Sequence, residues 1–240
     1  MNPEASQPLL AGKLLSQAFV VLRDNFLPFY ITGLVVALPS LILTAVLPAD
    51  AQSLANIVDS LLAQLAIAAL TYGSYQYLAG HRVGAGDCIR YAAGRFGRLF
   101  GLALLSNIII IVGLILFIIP GLFLMTMFAV SVPALLAERL SVSASLSRSS
   151  ALTKGYRWPV FGLLALVILG MLAAAFAAGI VIALIFPSAV DAEFGLVDIV
   201  IWLWTGLYYA VLSVITATIY YRLREIKEGL GIEQLAAVFD

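Results

Sequence analysis

The residues best suited to bind a charged ligand lie together near the middle of the sequence. An acidic residue, Glu138, is followed by three basic residues and an aromatic one, Arg148, Lys154, Arg157 and Trp158. Glu138 could pair with Arg148 or Arg157 and fix how two helices meet. Arginine also binds phosphate through paired hydrogen bonds, and tryptophan favours the membrane interface. The same residues could therefore hold an anionic lipid headgroup, and the two roles are compatible.

Two further arginines, Arg95 and Arg98, flank an aromatic residue in a similar way. They stand directly before an apolar stretch that starts at Leu99. Arginine beside an aromatic residue at the start of an apolar segment is typical of the headgroup region of a membrane. The predicted headgroup-binding set is therefore Arg95, Arg98, Arg148, Lys154, Arg157 and Trp158. The alternative is that these bases belong to ordinary loop helices that stabilise the topology.

A second group of polar residues lies early in an otherwise apolar segment. Asp59 is the acidic residue placed deepest in such a segment, with Asn56 and Gln64 nearby. Carboxylates inside a membrane usually face a polar cavity and often serve transport. Asp59 is close to the end of its segment, where water and headgroups can solvate it. A transport role and a structural role at the interface both remain open.

The sequence contains few of the residues that commonly serve in catalysis or metal binding. The chain has a single cysteine, Cys88, and a single histidine, His81, with Asp87 close to both. One cysteine excludes an internal disulfide and a multi-cysteine metal site. No metal-ligand spacing, nucleophile elbow or glycine-rich phosphate loop is present. We therefore expect a protein that is not an enzyme and that binds no cofactor or metal.

The composition indicates a membrane protein. Of 240 residues, 63% are hydrophobic and 11% are charged, and the mean hydropathy is +1.08. Soluble domains carry about twice that charged fraction. The formal net charge is zero, which argues against a nucleic-acid partner. Membrane phospholipids, and anionic ones in particular, are the expected partners.

Stretches without charge predict six transmembrane helices. A crossing needs about 20 apolar residues. The stretch that follows Leu99 is too long for one crossing and contains Ile119-Pro120-Gly121, so we predict a hairpin that bends near Pro120. The stretch that follows Trp158 fits one long helix that ends before Pro187. The predicted spans are 25–48, 57–79, 99–119, 121–137, 158–186 and 198–221.

The distribution of charge supports six spans and sets their orientation. Six spans place all 13 Lys and Arg residues on one side of the membrane. The other side carries only acids, namely Asp50, Asp59, Asp191, Glu193 and Asp198. The positive-inside rule makes the basic side cytoplasmic, so both termini are predicted to be cytoplasmic. No cleaved signal peptide is expected, because the first apolar run is too long.

A weak internal repeat organises these spans. A short segment that ends in polar and aromatic residues precedes the first, third and fifth spans, at junctions near Asn25, Arg95 and Arg157. Helical spacing of apolar residues suggests that these segments are amphipathic helices on the inner leaflet. The predicted fold is a single all-α integral membrane domain over residues 1–240. It has six transmembrane helices as three hairpins, each preceded by a short cytoplasmic amphipathic helix.

One segment carries a resemblance to a known family. It combines Ile119-Pro120-Gly121, Glu138 at the end of an apolar helix, a serine-rich stretch from Ala144 to Ser149, and a Gly-x-x-Trp-x-x-Phe pattern at Gly155, Trp158 and Phe161. This resembles bacterial inner-membrane proteins of the YciC-like type. It is also similar to the membrane domain of some glycerophosphodiester phosphodiesterases.

The resemblance implies a six-helix topology in a bacterial inner, or plasma, membrane. It does not imply phosphodiesterase activity, since those enzymes resemble proteins with paired catalytic histidines in a soluble domain. This chain has a single histidine. We expect a multi-pass protein that binds or organises lipids at the cytoplasmic leaflet without catalysis. The alternative is a transporter or lipid-translocating protein that uses a polar groove near Asn56, Asp59 and Gln64.

Overall fold

The computed structural model describes residues 11–48, 51–81, 83–187 and 195–229, with side chains at all of these except 11 and 52–57. The described residues form helices and connecting turns, without a β-strand. The helices are α1 (Ala11–Asp24), α2 (Phe26–Val46), α3 (Gln52–Leu78), α4 (Ala85–Ala93), α5 (Phe96–Leu116), α6 (Ile118–Met127), α7 (Ser131–Ala137), α8 (Val142–Thr153), α9 (Arg157–Ile185) and α10 (Leu196–Glu228).

Five segments are long and apolar enough to cross a membrane. They are Phe26–Val46, Phe96–Leu116, Ile118–Ala137, Arg157–Ile185 and Leu196–Glu228. These apolar sequences form helices because lipid offers no hydrogen-bond partners to the backbone, and a helix forms all its backbone hydrogen bonds within itself. The prediction of an all-helical membrane protein is thus confirmed for the described residues. The second predicted span coincides with α3, which is 27 residues long but is not among the five. Six spans in three hairpins therefore remain a prediction.

The third and fourth predicted spans differ in detail from the structure. The chain turns at Phe117, whose extended backbone (φ −160°, ψ 147°) separates α5 from α6, whereas the predicted bend was near Pro120. Pro120 is instead the third residue of α6, where its missing N–H is not needed for a helical bond. Gly121 permits the turn, because a Cβ there would lie 2.9 Å from Leu114 Cα. The fourth span is two short helices, α6 and α7, with a break at 128–130.

The long helix α10 is the centre of the fold. It packs against α2 and α3 along much of its length and against the amphipathic helix α1 around Val211, Val214 and Ile215. Small residues of α3 and α10, such as Ala66 and Ala210, are completely buried and allow this close packing. In contrast, the long helix α9 is largely exposed, and only Val160 and Leu163 of its side chains are buried.

Two glycines bring the backbones of α2 and α10 into contact. A Cβ on Gly33 would lie 2.7 Å from the carbonyl oxygen of Gly206. Real Cβ atoms do not approach a carbonyl oxygen this closely, and backbone cannot move aside as a flexible side chain can. The contact between the two helices therefore requires glycine at position 33.

The three segments that precede the first, third and fifth predicted spans are helical, as α1, α4 and α8. In α1, Leu14, Ala18 and Val21 are buried against the bundle, while Phe19 is 65% exposed. The buried stripe of α4 is Cys88 and Ala92. These helices thus contact the bundle along one side, and their position on the inner leaflet remains a prediction.

The glycine contact gives a test of the packing. We expect Gly33→Ala to lower the free energy of unfolding by about 1–3 kcal/mol, because the added methyl group overpacks the contact between α2 and α10. The matched control is Gly162→Ala in α9, where a Cβ meets no atom within 4 Å. The melting temperature of each variant in detergent measures the effect. Equal melting temperatures for the two variants would contradict the close contact.

Candidate functional site

Three helices bring a group of charged side chains to one end of the bundle. Glu138 directly follows the buried helix α7. Arg148 lies in the middle of α8, and Arg224 and Glu228 lie in the last turns of α10. The N-terminus of α8 is capped by Ser141, whose Oγ accepts a hydrogen bond from the backbone N–H of Ala144 at 3.4 Å. Helices that are distant in sequence thus position the four charges.

The four charges form a continuous network. Glu138 Oε1 accepts hydrogen bonds from Arg148 Nε at 2.8 Å and from the Tyr220 hydroxyl at 2.7 Å. Another nitrogen of Arg148, Nη2, donates to Glu228 Oε1. Glu228 Oε2 accepts from Arg224 Nε at 2.8 Å, and Arg224 Nε is 4.0 Å from Glu138 Oε1. Two carboxylates therefore balance two guanidinium groups, and the network links α7, α8 and α10.

Partial burial makes this network costly to break. The exposed fractions of the side chains are 26% for Arg148, 17% for Glu138 and 10% for Arg224. Burial opposes the charge of Arg148, but its hydrogen bonds with Glu138 and Glu228 outweigh this, and the pKa of Arg148 is raised. The contact between Glu138 and Arg148 that the sequence suggested is present. Because two nitrogens of Arg148 are engaged by carboxylates, this arginine is poorly placed to bind a headgroup.

Arg157 has a different environment. Its guanidinium lies 4.3 Å from the centre of the Phe123 ring, and its Nη2 donates to Ser150 Oγ at 3.4 Å. Its Nε is buried and has no hydrogen-bond partner among the described residues. No described carboxylate forms an ion pair with it, in contrast to Arg148. Arg157 is therefore a cation with unused hydrogen-bonding capacity.

An apolar pocket opens beside Arg157. It lies between α6 and the start of α9, has a volume of about 210 Å³, and is lined by Ile119, Leu122, Phe123, Thr126, Arg157, Trp158 and Phe161. Trp158 is 80% exposed and meets Phe161 edge to face, with ring centres 6.2 Å apart. A guanidinium at the edge of an apolar pocket, next to an exposed indole, is an arrangement that suits an amphipathic ligand.

Two lysines add positive charge near Arg157. Lys227 of α10 donates through Nζ to the carbonyl oxygen of Lys154 at 2.8 Å and also to that of Ala151, at the end of α8. Lys227 lies close enough to Arg148, Lys154 and Arg157 to be repelled by their charges. Lys154 is exposed. The sequence suggested Lys154, but it did not indicate Lys227, which is 70 residues away from Arg157 in the chain.

The predicted pair Arg95 and Arg98 lies at the start of α5, with Arg95 directly before the helix and Arg98 in its first turn. Arg95 stacks on Tyr91, 3.6 Å from the centre of the ring, and Tyr91 stacks on Tyr72 with ring centres 3.8 Å apart. Arg98 is exposed. Within the described ranges, neither arginine lines the apolar pocket beside Arg157. Of the predicted headgroup-binding set, that pocket contains Arg157 and Trp158.

A polar cavity occupies the opposite end of the bundle. It has a volume of about 190 Å³ and is lined by Ser40, Leu41, Thr44, Asp59, Asp198, Ile201, Trp202 and Thr205. Tyr209 of α10 lies close to Asp59. Gln64 does not line this cavity, since five residues along a helix turn a side chain by about 140°. The side chain of Asn56 lies outside the described residues.

The residues around Cys88 do not form a reactive site. Cys88 is 4% exposed, and Asp87 forms an exposed ion pair with Arg90 at 3.5 Å. His81 is exposed at the end of α3. In the part of the chain that the structure describes, no three His, Cys, Asp or Glu residues are grouped so that they could hold a metal ion. Burial, assisted by the charge of Asp87, raises the pKa of the Cys88 thiol to about 11.

Comparison with known proteins does not identify a family. No family model, curated protein or solved structure matches the chain. The resemblance carried by the segment from Ile119 to Phe161 therefore stays a prediction.

The ion-pair network predicts a strong effect of one uncharged replacement. We expect Glu138→Gln to lower the free energy of unfolding by about 3 kcal/mol, because it leaves two partly buried arginines with one carboxylate. The control is Asp87→Asn, which breaks an ion pair whose side chains are 84% and 62% exposed and should have little effect. Denaturant unfolding in detergent measures both. If Glu138→Gln lowered the free energy of unfolding by as little as Asp87→Asn does, the network would not be stabilising.

The buried thiol predicts slow alkylation. Only the thiolate reacts, and with a pKa of about 11 roughly one Cys88 in a thousand is ionised at pH 8. We expect iodoacetamide labelling of the folded protein, followed by mass spectrometry, to be slow at pH 8 and to accelerate as the pH rises towards 11. Labelling in dodecyl sulfate provides the unfolded control. Rapid labelling of the folded protein at pH 8 would contradict the burial of Cys88.

Proposed function

We propose that this protein binds an anionic phospholipid at the end of the bundle where α6, α8, α9 and α10 meet, and that it binds or organises lipid without catalysis. The observation that carries the proposal is Arg157. It is a cation without a described carboxylate partner, and its buried Nε lacks a hydrogen bond. It stands at the edge of an apolar pocket.

The chemistry of a phospholipid fits this arrangement. A phosphodiester would accept hydrogen bonds from Arg157 and gain from the nearby charges of Lys154 and Lys227. The pocket between α6 and α9 would take part of an acyl chain, and Trp158 would lie at the level of the headgroups. The positive-inside rule supports the proposal that this end faces the cytoplasmic leaflet. A bacterial inner membrane is the proposed location.

A second candidate function is transport, and the cavity that contains Asp59 is the observation that favours it. A transport pathway would have to continue from that cavity through the bundle. Below the cavity, however, α2, α3 and α10 are closely packed through Gly33, Gly206, Ala66 and Ala210. We therefore prefer lipid binding to transport.

The lipid proposal is tested with a single replacement. We expect Arg157→Gln to weaken the bound phospholipid by about 30-fold, which corresponds to the loss of roughly 2 kcal/mol from charged hydrogen bonds. Native mass spectrometry of protein released from its own membranes measures the retained lipid. The expected result is a stoichiometric anionic phospholipid on the unmodified protein that is lost from Arg157→Gln.

The control variant is Arg90→Gln, which removes an exposed arginine of α4 that is paired with Asp87. It should keep the bound lipid. Replacement of Arg148 is not suitable, because it would also disrupt the ion-pair network. The same mixture of lipids on all three proteins would overturn the proposal.

A further inference from the structure

The polar cavity at the far end of the bundle from the ion-pair network presents hydrogen-bond acceptors. The hydroxyl of Ser40 donates to the carbonyl oxygen of Ala37 at 2.8 Å, that of Thr44 to Ser40 at 3.0 Å, and that of Thr205 to Ile201 at 2.8 Å. Each hydroxyl hydrogen is therefore used within its own helix. The hydroxyl oxygens of Ser40 and Thr205 can then act towards a ligand only as acceptors.

Two carboxylates, Asp59 and Asp198, line the same cavity. Asp198 also accepts the backbone N–H of Gly195 at 2.8 Å. Among the described residues no basic side chain lines the cavity, and the sequence has no Lys or Arg between Arg23 and Arg82 or between Arg157 and Arg222. The negative charge at this end of the bundle is thus not balanced by a cation of the protein.

Trp202 and the size of the cavity indicate which class of ligand could bind. Trp202 contributes an aromatic side chain, and aromatic rings attract organic cations. The indole Nε1 is buried, so the ring and not its N–H is the part of Trp202 that a ligand can meet. The volume of about 190 Å³ is far more than a single water or a bare metal ion needs.

We propose that this cavity binds a small organic ammonium group, with Asp59 and Asp198 supplying the opposite charge and Trp202 an aromatic wall. Such a group occurs both in free amines and in amine-bearing lipid headgroups. This site is independent of the phospholipid site at Arg157, which lies near the other end of the bundle.

The test uses the fluorescence of Trp202. Trp158→Phe and Trp204→Phe leave Trp202 as the single tryptophan. The protein in detergent is titrated with ethanolamine and choline, and with sodium chloride at the same ionic strength. We expect a saturable change with the amines and none with sodium. No saturable change, or an equal one with sodium, overturns the proposal, and this comparison needs no change to the cavity.

Variants then locate the site. Asp59→Asn and Asp198→Asn should each weaken amine binding by about tenfold or more, whereas Asp87→Asn, which is exposed on α4, should not change it. Unchanged affinity in both cavity variants overturns the assignment to this cavity. Melting temperatures show whether each variant is folded.

Nanodiscs distinguish the two sources of the ammonium group. If lipid headgroups supply it, free ethanolamine should change the fluorescence in phosphatidylglycerol nanodiscs but not in phosphatidylethanolamine nanodiscs, where the site is already filled. An equal response in both types of nanodisc assigns the site to a free amine. A response in neither overturns binding in a bilayer.

Discussion

Four charged side chains, those of Glu138, Arg148, Arg224 and Glu228, share a region from which water is largely excluded. The charge of each is stabilised by the opposite charges of its neighbours. Glu138 and Glu228 lie between Arg148 and Arg224. The distance is 2.8 Å for Arg148–Glu138 and for Arg224–Glu228, and 4.0 Å for Arg224–Glu138. Taking such charges out of water is expensive, and it is offset only when each has an opposite charge and hydrogen bonds. The position of α8 against α7 and α10 follows from this requirement, and α8 in turn sets where α9 begins.

The two ends of the bundle therefore differ in their electrostatic state. At the end near α8, the paired arginines are neutralised, and Arg157, Lys154 and Lys227 remain without carboxylate partners in the described structure. At the other end, Asp59 and Asp198 remain without cations. From Asp198 to Arg224, α10 spans about 39 Å. The protein presents excess charge of opposite sign at two distant sites.

Much of the architecture follows from local sequence. Runs of apolar residues predicted α2, α5, α9 and α10, because in lipid the backbone N–H and C=O groups of such a run must be hydrogen-bonded within a helix. The turn at Phe117 was missed, since proline and glycine usually mark a turn and here Pro120 fits within the first turn of a helix. The break between α6 and α7 carries no comparable signal in the sequence.

The sites were only partly predictable, for a physical reason. The contact between Glu138 and Arg148 joins residues ten apart, so spacing alone suggested it. Glu228 and Tyr220 join the network from about 80 residues away, and only the packing of α10 brings them there. Likewise Asp59 was singled out as an isolated acid, while Asp198 and Trp202 became its neighbours only through the alignment of α3 with α10.

The weak attachment of α9 has a mechanical consequence. Its 29 residues extend for about 43 Å, whereas the hydrocarbon layer of a bilayer is about 30 Å thick. A helix with this mismatch tilts, and its tilt changes with the thickness of the surrounding bilayer. Beyond Leu163 its described side chains are not buried, so the protein offers little resistance to that tilt. The pocket at Arg157 is formed by the first turns of this helix, and its width is thereby coupled to membrane thickness.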